Sequence, residues 1–396
     1  MQIEQISLKN FKAFQNVTVK GIQPFTVLVG ANGTGKTSFF DVFGFLRDCL
    51  RENVRTALAR RGGFKELITR GHESKNIFIE LQIRMDLHGK SRLVTYSLEI
   101  GLFEKNPIVE RETLRYKRGR YGAPYYFLDF RRGEGQAITN EKDAYQEITE
   151  LVTDHQKLGA SDILAIKGLG QFQRFEAASA LRSLVENWHV SDFYISSARN
   201  VPDAGVAEHL STQGENLPLV AQYLYEEHRP IFERILKTMS ERVPGIKNVT
   251  AEQTVEGRVV LRFQDGSFKD PFIARFVSDG TIKMFAYLIL LNDPKSHPLL
   301  CVEEPENQLY PSLLAELAEE FASYAKRGGQ VFVSTHSPDF LNAVPLSSIF
   351  WLSKTNGLTA ATRAQDNERL AAYVAGGDKP GWLWQQGAFE GADPDG

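Results

Sequence analysis

The chain has 396 residues, 42% of them hydrophobic and 24% charged, so it can bury a large core and its length suits one large domain or two to three lobes. A net charge of -3 excludes a surface that grips polyanions over its whole area, and no apolar run approaches the ~20 residues that span a bilayer. The N-terminus MQIEQISLKNFKAF alternates where a signal peptide would be apolar, and Cys49 and Cys301 stand far apart in apolar surroundings. These features lead us to expect a soluble cytoplasmic protein with two buried thiols and no membrane segment.

In chain order, Ile3, Ile6 and Leu8 alternate with polar residues, and FTVLVG is a short apolar strand ending on a glycine-rich turn. Residues 37–50 predict a helix with Phe39, Phe40, Phe43, Leu46 and Leu50 on overlapping apolar faces. From about 77 to 130 the period changes to two, as in an antiparallel meander added to the first unit. Residues 140–190 read as helical, with Phe175, Ala178, Leu181, Val185 and Trp188 at helical spacing, and DFYISSAR reads as a strand. LPLVAQYLYEEHRPIFERILKTM predicts one or two helices interrupted near Pro230. VVLRFQ, the FVSDGT turn with its helix, PLLCVEE and QVFVSTHS then restore strand–helix alternation, so the two ends are expected to complete one sheet around an inserted middle. The end of the chain, GAFEGADPDG, reads as disordered.

GANGTGKTS, residues 30–38, fits G-x-x-x-x-G-K-[ST] between a buried strand and a helix. Glycines there let backbone N–H groups close around phosphate oxygens, Lys36 reaches the β and γ phosphates, and the Thr37 hydroxyl ligates Mg²⁺. The strand in HPLLCVEEPENQLYP ends on Glu303, suited to hold Mg²⁺, and Glu304, suited to polarise an attacking water. QVFVSTHSPDF ends another strand on His336, a candidate γ-phosphate sensor. FVSDGT leaves two readings open, a plain N-cap or an anion site at a helix N-terminus. RETLRYKRGRYG with DFRR clusters Arg111, Arg115, Lys117, Arg118, Arg120, Arg131 and Arg132 around Tyr116 and Tyr121, either a nucleic-acid patch or a solvated sheet face.

In this order, GANGTGKTS, VSDGT, VEEPENQLYP and VSTHSP resemble the Walker A, signature, Walker B with D-loop, and switch histidine of ABC-type ATPases. The wording SDGT with EEPENxLxP, and the opening LKNFKAF, are similar to the AAA15/AAA21 group related to RecF, the OLD proteins and SMC heads. The resemblance covers residues 1–50 and about 275–340. It implies an α/β, ABC-type P-loop ATPase head with a mixed sheet, an antiparallel β lobe and an inserted helical region. The corresponding divisions are a head part at 1–75, a β lobe at 76–135, a helical insertion at 136–245, the second head part at 246–365 and a tail at 366–396.

It also implies a mechanism in which two heads sandwich ATP and Mg²⁺ and hydrolyse the nucleotide. Gly30, Asn32, Gly33, Thr34, Gly35, Lys36, Thr37 and Ser38 would bind it in cis, with Thr37 and Glu303 on the metal and Glu304 and His336 catalytic. Ser278 and Gly280 would reach the other head's nucleotide, Asn307 and Gln308 would cross the interface, and Lys12 would approach phosphate. The implied partners are a second copy of the chain, DNA, and a separately encoded nuclease or other effector in repair or phage defence.

The departures bear on rate and role. SDGT replaces the transporter wording SGGQ, and Glu303 stands where Asp is usual, which favours slow turnover or a nucleotide-gated scaffold. A transport ATPase fits these residues less well. The Q-loop has no clear place, Arg70, Gly71 and His72 being the nearest choice. No coiled-coil arm separates the ends, and the roughly 60 residues after His336 are too few for a Toprim nuclease domain. His155, His189, His209 and His228 lack the sequence spacing of metal ligands, which disfavours an intrinsic nuclease.

Overall fold

A computed structural model describes residues 1–87, 89–117, 119, 122–141, 150–191 and 193–391. The chain divides into two compact units, one made of 1–188, 346–377 and 383–396, the other of 189–345 and 378–382.

The first unit is built on an eight-stranded antiparallel sheet. Its meander follows from strict period-two patterning: along Ile77–Leu87 the side chains of Ile77, Ile79, Leu81, Ile83, Met85 and Leu87 are all buried on one face. Gln2–Phe11 pairs with Phe14–Lys20 on one side and with Ile77–Leu87 on the other, so position 76 is not a break in this sheet. The lobe expected as an addition to the first unit continues the sheet of the N-terminal strands. Glu134–Ile138 and Thr153–Lys157 extend the same sheet at its far edge, correcting the helical reading of the start of the 136–245 segment; 142–149 lie outside the described residues.

Beside this sheet, Phe25–Val29 pairs in parallel with Ile349–Thr355, which forms a hairpin with Leu358–Arg363. Every residue of Phe25–Val29 is buried, as a continuous apolar run requires. Helix Lys36–Arg51 follows and buries Phe39, Phe40, Phe43, Phe45, Leu46 and Leu50, with Phe43 edge-on to Trp188 at 5.4 Å between ring centroids. The segment expected to be disordered begins with a packed anchor. Phe389 is buried, its ring centroid 5.6 Å from that of Trp351 and 5.8 Å from that of Trp384, while 392–396 lie outside the described residues.

In the second unit Leu300–Glu303 lies between the parallel strands His189–Ser191 and Val331–Thr335. The strand predicted in DFYISSAR is instead His189–Ser191, and Ile195–Ala198 is a short helix. Helices Leu217–Glu227 and Arg229–Arg242 meet where Pro230 starts the second, at the interruption expected. A three-stranded antiparallel sheet, Ile246–Gln253, Val259–Asp265 and Phe272–Ile273, precedes helix Asp279–Leu291, whose residues 281–291 are all buried. No helix among the described residues is long and apolar enough to cross a membrane.

Candidate nucleotide site

In the first unit the glycine-rich loop is set by backbone geometry. Gly33 and Gly35 have φ of 80° and 108°, values that favour glycine, and Gly35 is the N-cap of helix Lys36–Arg51. A side chain at Gly30 would put its Cβ 2.5 Å from Thr34 Oγ1 and 2.8 Å from the Leu352 carbonyl, whereas a Cβ at Gly33 would meet nothing within 4 Å, leaving room over the loop. Lys36 Nζ folds back to donate to the carbonyls of Gly30 at 2.6 Å and Ala31 at 3.2 Å. Thr34 Oγ1 donates to the Ala31 carbonyl, and the loop is held from behind by Thr359 Oγ1 on Thr34 O and Lys354 Nζ on Gly33 O. Gly30, Asn32, Gly33, Thr34, Gly35, Lys36, Thr37 and Ser38 thus form one turn into one helix.

Lys12 has φ of 48°, and its Nζ sits 2.6 Å from Asp41, one turn beyond Thr37 in the same helix. Asp41 also takes Arg61 Nε at 2.6 Å, so Lys12 enters a set charge pair beside the loop's helix. Of the three residues named for the Q-loop, Arg70 pairs with Glu66, Gly71 N donates to Glu73, and His72 Nε2 accepts from Gln15 Nε2 at 2.8 Å.

In the second unit Glu303 and Glu304 stand where Leu300–Glu303 ends, in register with Ser334 of the next strand. Glu304 takes φ of 42°, a left-handed conformation that a β-unsupported Glu adopts only under constraint; its N–H donates to Ser334 O at 2.9 Å. Its carboxylate accepts from Asn307 Nδ2 at 3.1 Å and lies 3.6 Å from His336 Nδ1. Glu304, Asn307 and His336 therefore converge, and His336 stays half exposed.

The residue that organises this corner is Glu306, which the sequence reading did not single out. Its side chain is only 7% exposed, and Oε1 accepts from Thr335 Oγ1 at 2.7 Å and from the His336 backbone N–H at 2.8 Å, with His336 Nδ1 at 3.4 Å. The opposing charge is Lys283, buried on helix Asp279–Leu291 and donating to Asn307 O at 2.6 Å. Burial pushes the Lys283 ammonium down to about 8, against the pull of Glu306 and Glu304 that raises it. The available sequence signal was a third carboxylate two positions after Glu304, next to a buried strand, and a lysine inside an otherwise apolar helix.

Ser278 is the N-cap of that helix, its Oγ accepting from Thr281 N at 3.3 Å. Asp279 is held by Arg199 Nη2 at 2.6 Å, and Arg199 also donates to Val277 O. A Cβ at Gly280 would approach Gln308 O to 3.0 Å, so glycine here lets the turn around Gln308 pack against the helix start. The hydrogen bonds of this stretch are those of a cap.

Three arginines of the basic patch are paired locally. Arg111 forks onto Asp129 at 3.0 and 2.8 Å, Arg115 meets Glu80 at 3.3 Å and Arg132 meets Glu110 at 2.9 Å. Tyr116 is buried and stacked on Phe127 at 3.7 Å between centroids, leaving no face for a base; Arg118, Arg120 and Tyr121 lie outside the described residues.

The donor types suit their ligands. Thr37 and Glu303 offer hard oxygen atoms of the kind Mg²⁺ takes, and the glycine loop with Lys36 offers a cradle for phosphate.

Residues 25–342 match a family model described as "AAA domain, putative AbiEii toxin, Type IV TA system". The DNA replication and repair protein RecF of Paenarthrobacter aurescens (strain TC1) is 34% identical over 99 residues, covering 24% of each chain. The chromosome partition protein Smc of Methanococcus voltae is 34% identical over 86 residues, covering 22% of this chain and 7% of its own. The matches to these curated relatives thus span at most about a quarter of their length. An SMC head bound to the C-terminal winged-helix domain of ScpA superposes with a TM-score of 0.53 at 15% identity, over 91% of this chain and 97% of that one. An SMC head with an extended coiled coil, bound to the C-terminal domain of ScpA from Pyrococcus furiosus, gives 0.50 at 13% identity, over 94% and 99%. The family model, matching most of the chain, places it in the AAA_21 family, related in sequence to RecF and Smc and sharing the fold of SMC heads.

Proposed function

We propose that this protein binds Mg-ATP and hydrolyses it slowly as a pair of heads, using the cycle to switch a separately encoded effector in DNA repair or phage defence. The observation that carries this reading is the phosphate loop, in which Lys36 Nζ rests on Gly30 and Ala31 carbonyls over a turn open at Gly33. Phosphate oxygens would replace those carbonyls as partners of the ammonium, a charge-assisted exchange. Thr37 and Glu303 would hold Mg²⁺, which when bound offsets charge on the phosphate oxygens. Glu304, held in its positive-φ turn, orients and polarises the attacking water, and His336, tied to Glu304 and Glu306, senses the γ-phosphate.

In this scheme Ser278 and Gly280 serve the second copy's nucleotide and Asn307 lies at the shared interface. Pairing would uncover the Ser278 cap for phosphate, so the two readings of FVSDGT become two states. Lys12, beside the loop helix, would be drawn from Asp41 toward phosphate. DNA contact through the Arg111–Arg132 patch would have to compete with its internal ion pairs.

The decisive experiment measures nucleotide binding and turnover together. Lys36→Ala is expected to weaken ATP affinity by at least about 100-fold, the scale of losing a buried phosphate-pairing cation, and unchanged affinity would overturn the site. Glu304→Gln should bind ATP normally and hydrolyse it at least about 100-fold more slowly. A second reading, a nucleotide-gated scaffold, is favoured by Glu303 in place of aspartate; it predicts ATP-dependent pairing with negligible turnover in the unaltered chain.

A further inference from the structure

We propose that the second unit carries a divalent transition-metal site, best suited to Zn²⁺, formed by His209, Asp293 and His297, none of them a residue assigned to the nucleotide. The ligand atoms of these three residues all lie within 4.8 Å of one another. Asp293 Oδ2 is the hub, 2.7 Å from His209 Nδ1 and 3.8 Å from His297 Nε2. A tetrahedral zinc with bonds of about 2.0–2.2 Å sets its ligands roughly 3.4 Å apart, so small side-chain shifts admit the ion. Two imidazoles and one carboxylate are the donor set that zinc takes when a fourth position is left to water or substrate.

The surroundings hold these ligands as a metal site requires. Asp293 is 4% exposed and its other oxygen accepts from Lys295 N at 2.8 Å, fixing the carboxylate plane. Tyr324 Oη donates to the His297 carbonyl at 2.6 Å, and Asn216 bridges the His209 carbonyl to Ser211 N. His189 packs on His297 with ring centroids 4.8 Å apart, a further imidazole beside the cluster. His209 is 40% exposed, which provides the entry path and the open fourth position.

The position has a mechanical consequence. Asp293 follows the C-terminal end of helix Asp279–Leu291, whose start carries Ser278, and His297 leads into strand Leu300–Glu303, whose end carries Glu303 and Glu304. An ion here would clip the far end of the helix to the far end of the strand.

The test uses the full chain, freed of metal by chelator and without nucleotide, titrated with ZnCl₂ against a competing chromophoric chelator. One tight site per chain is expected, and a raised unfolding temperature with it. His209→Ala, at an exposed position, and Asp293→Asn, close to isosteric, should each lower zinc affinity by at least tenfold, the scale on which single ligands act. His155→Ala, outside the cluster, should leave it unchanged. With Co²⁺ in place of zinc, the intense visible absorption of a four-coordinate site should appear in the unaltered chain and vanish in Asp293→Asn. Absence of stoichiometric binding, zinc affinity in either cluster variant unchanged from the unaltered chain, or an equal loss in His155→Ala would overturn the proposal and leave a His209–Asp293 hydrogen bond as the whole of the arrangement.

Discussion

The glycine-rich loop of the first unit and the strand ends of the second carry comparable functional density but are shaped by opposite means. In the loop, backbone does the shaping: positive φ at Gly33 and Gly35, a forbidden Cβ at Gly30, and carbonyls that engage Lys36. At the strand ends, side chains from three separate stretches do it, with Glu306 joining Thr335, His336 and the charge of Lys283. A backbone-shaped site tolerates side-chain change around it and fails when a glycine is lost. A network-shaped site fails when its hub is lost.

The sharpest break of that contrast is Glu306→Ala. It leaves Thr335 Oγ–H and the His336 N–H without their common acceptor, removes a negative charge that acts on buried Lys283, and should cost about 3 kcal/mol in urea unfolding. The Lys283 ammonium, already lowered chiefly by burial, should fall further in the variant, because Glu306 is among the charges that raise it. A loss below about 0.5 kcal/mol, the scale of an ordinary surface change, would remove Glu306 from its place as hub.

Gly30→Ala tests the other side. Its Cβ would collide with Thr34 Oγ1 and the Leu352 carbonyl, a clash worth about 1–3 kcal/mol, with nucleotide affinity falling in parallel; calorimetric titration with ATP against a thermal melt would show both. Ser278→Ala removes a cap bond at the signature helix and should cost about 1 kcal/mol without changing ATP binding by an isolated head.

The smallest effect separates the units by pH. In the first unit burial pushes Glu112 up to about 7 and Glu141 up to about 8, although Glu112 accepts from the N–H groups of Ala165 and Ile166 and from Tyr96. Their folded forms keep protons that unfolded carboxyls release, so their contribution is full below about 4.5 and is lost as pH rises through 7 to 8. Lys283 in the second unit has the opposite sign. Its folded form gives up a proton near 8 that the unfolded chain holds to about 10.5, so its contribution to stability grows across that window. Urea midpoints between pH 5 and 7.5 should fall less steeply in Glu112→Gln than in the unaltered chain; equal slopes would deny Glu112 its part.

How far the sequence could be read follows the same division. The order of phosphate loop, signature, carboxylate pair and histidine was legible because each is a contiguous stretch with its own strand or helix beside it. The meander was legible from period two along Ile77–Leu87. The first strands were placed with the loop, yet Gln2–Phe11 hydrogen-bonds to the meander, since an alternating strand does not announce which edge it joins. DFYISSAR misled because a short apolar run reads equally as strand or helix. Phe389 looked like part of a loose tail, and only the pocket between Trp351 and Trp384 holds it.

Spacing by itself determined the glycine-rich turn into a helix, the carboxylate-tipped strand and the helix start at FVSDGT, because local hydrogen bonding and steric limits act within a few residues. Tertiary structure alone decided that Lys283, Glu306, Thr335 and His336 form one network, that Arg111, Arg115 and Arg132 are already paired, and that His209 meets Asp293 and His297 across a separation of more than eighty residues. Contacts of that kind depend on which faces the fold brings together, and no local rule along the chain records them.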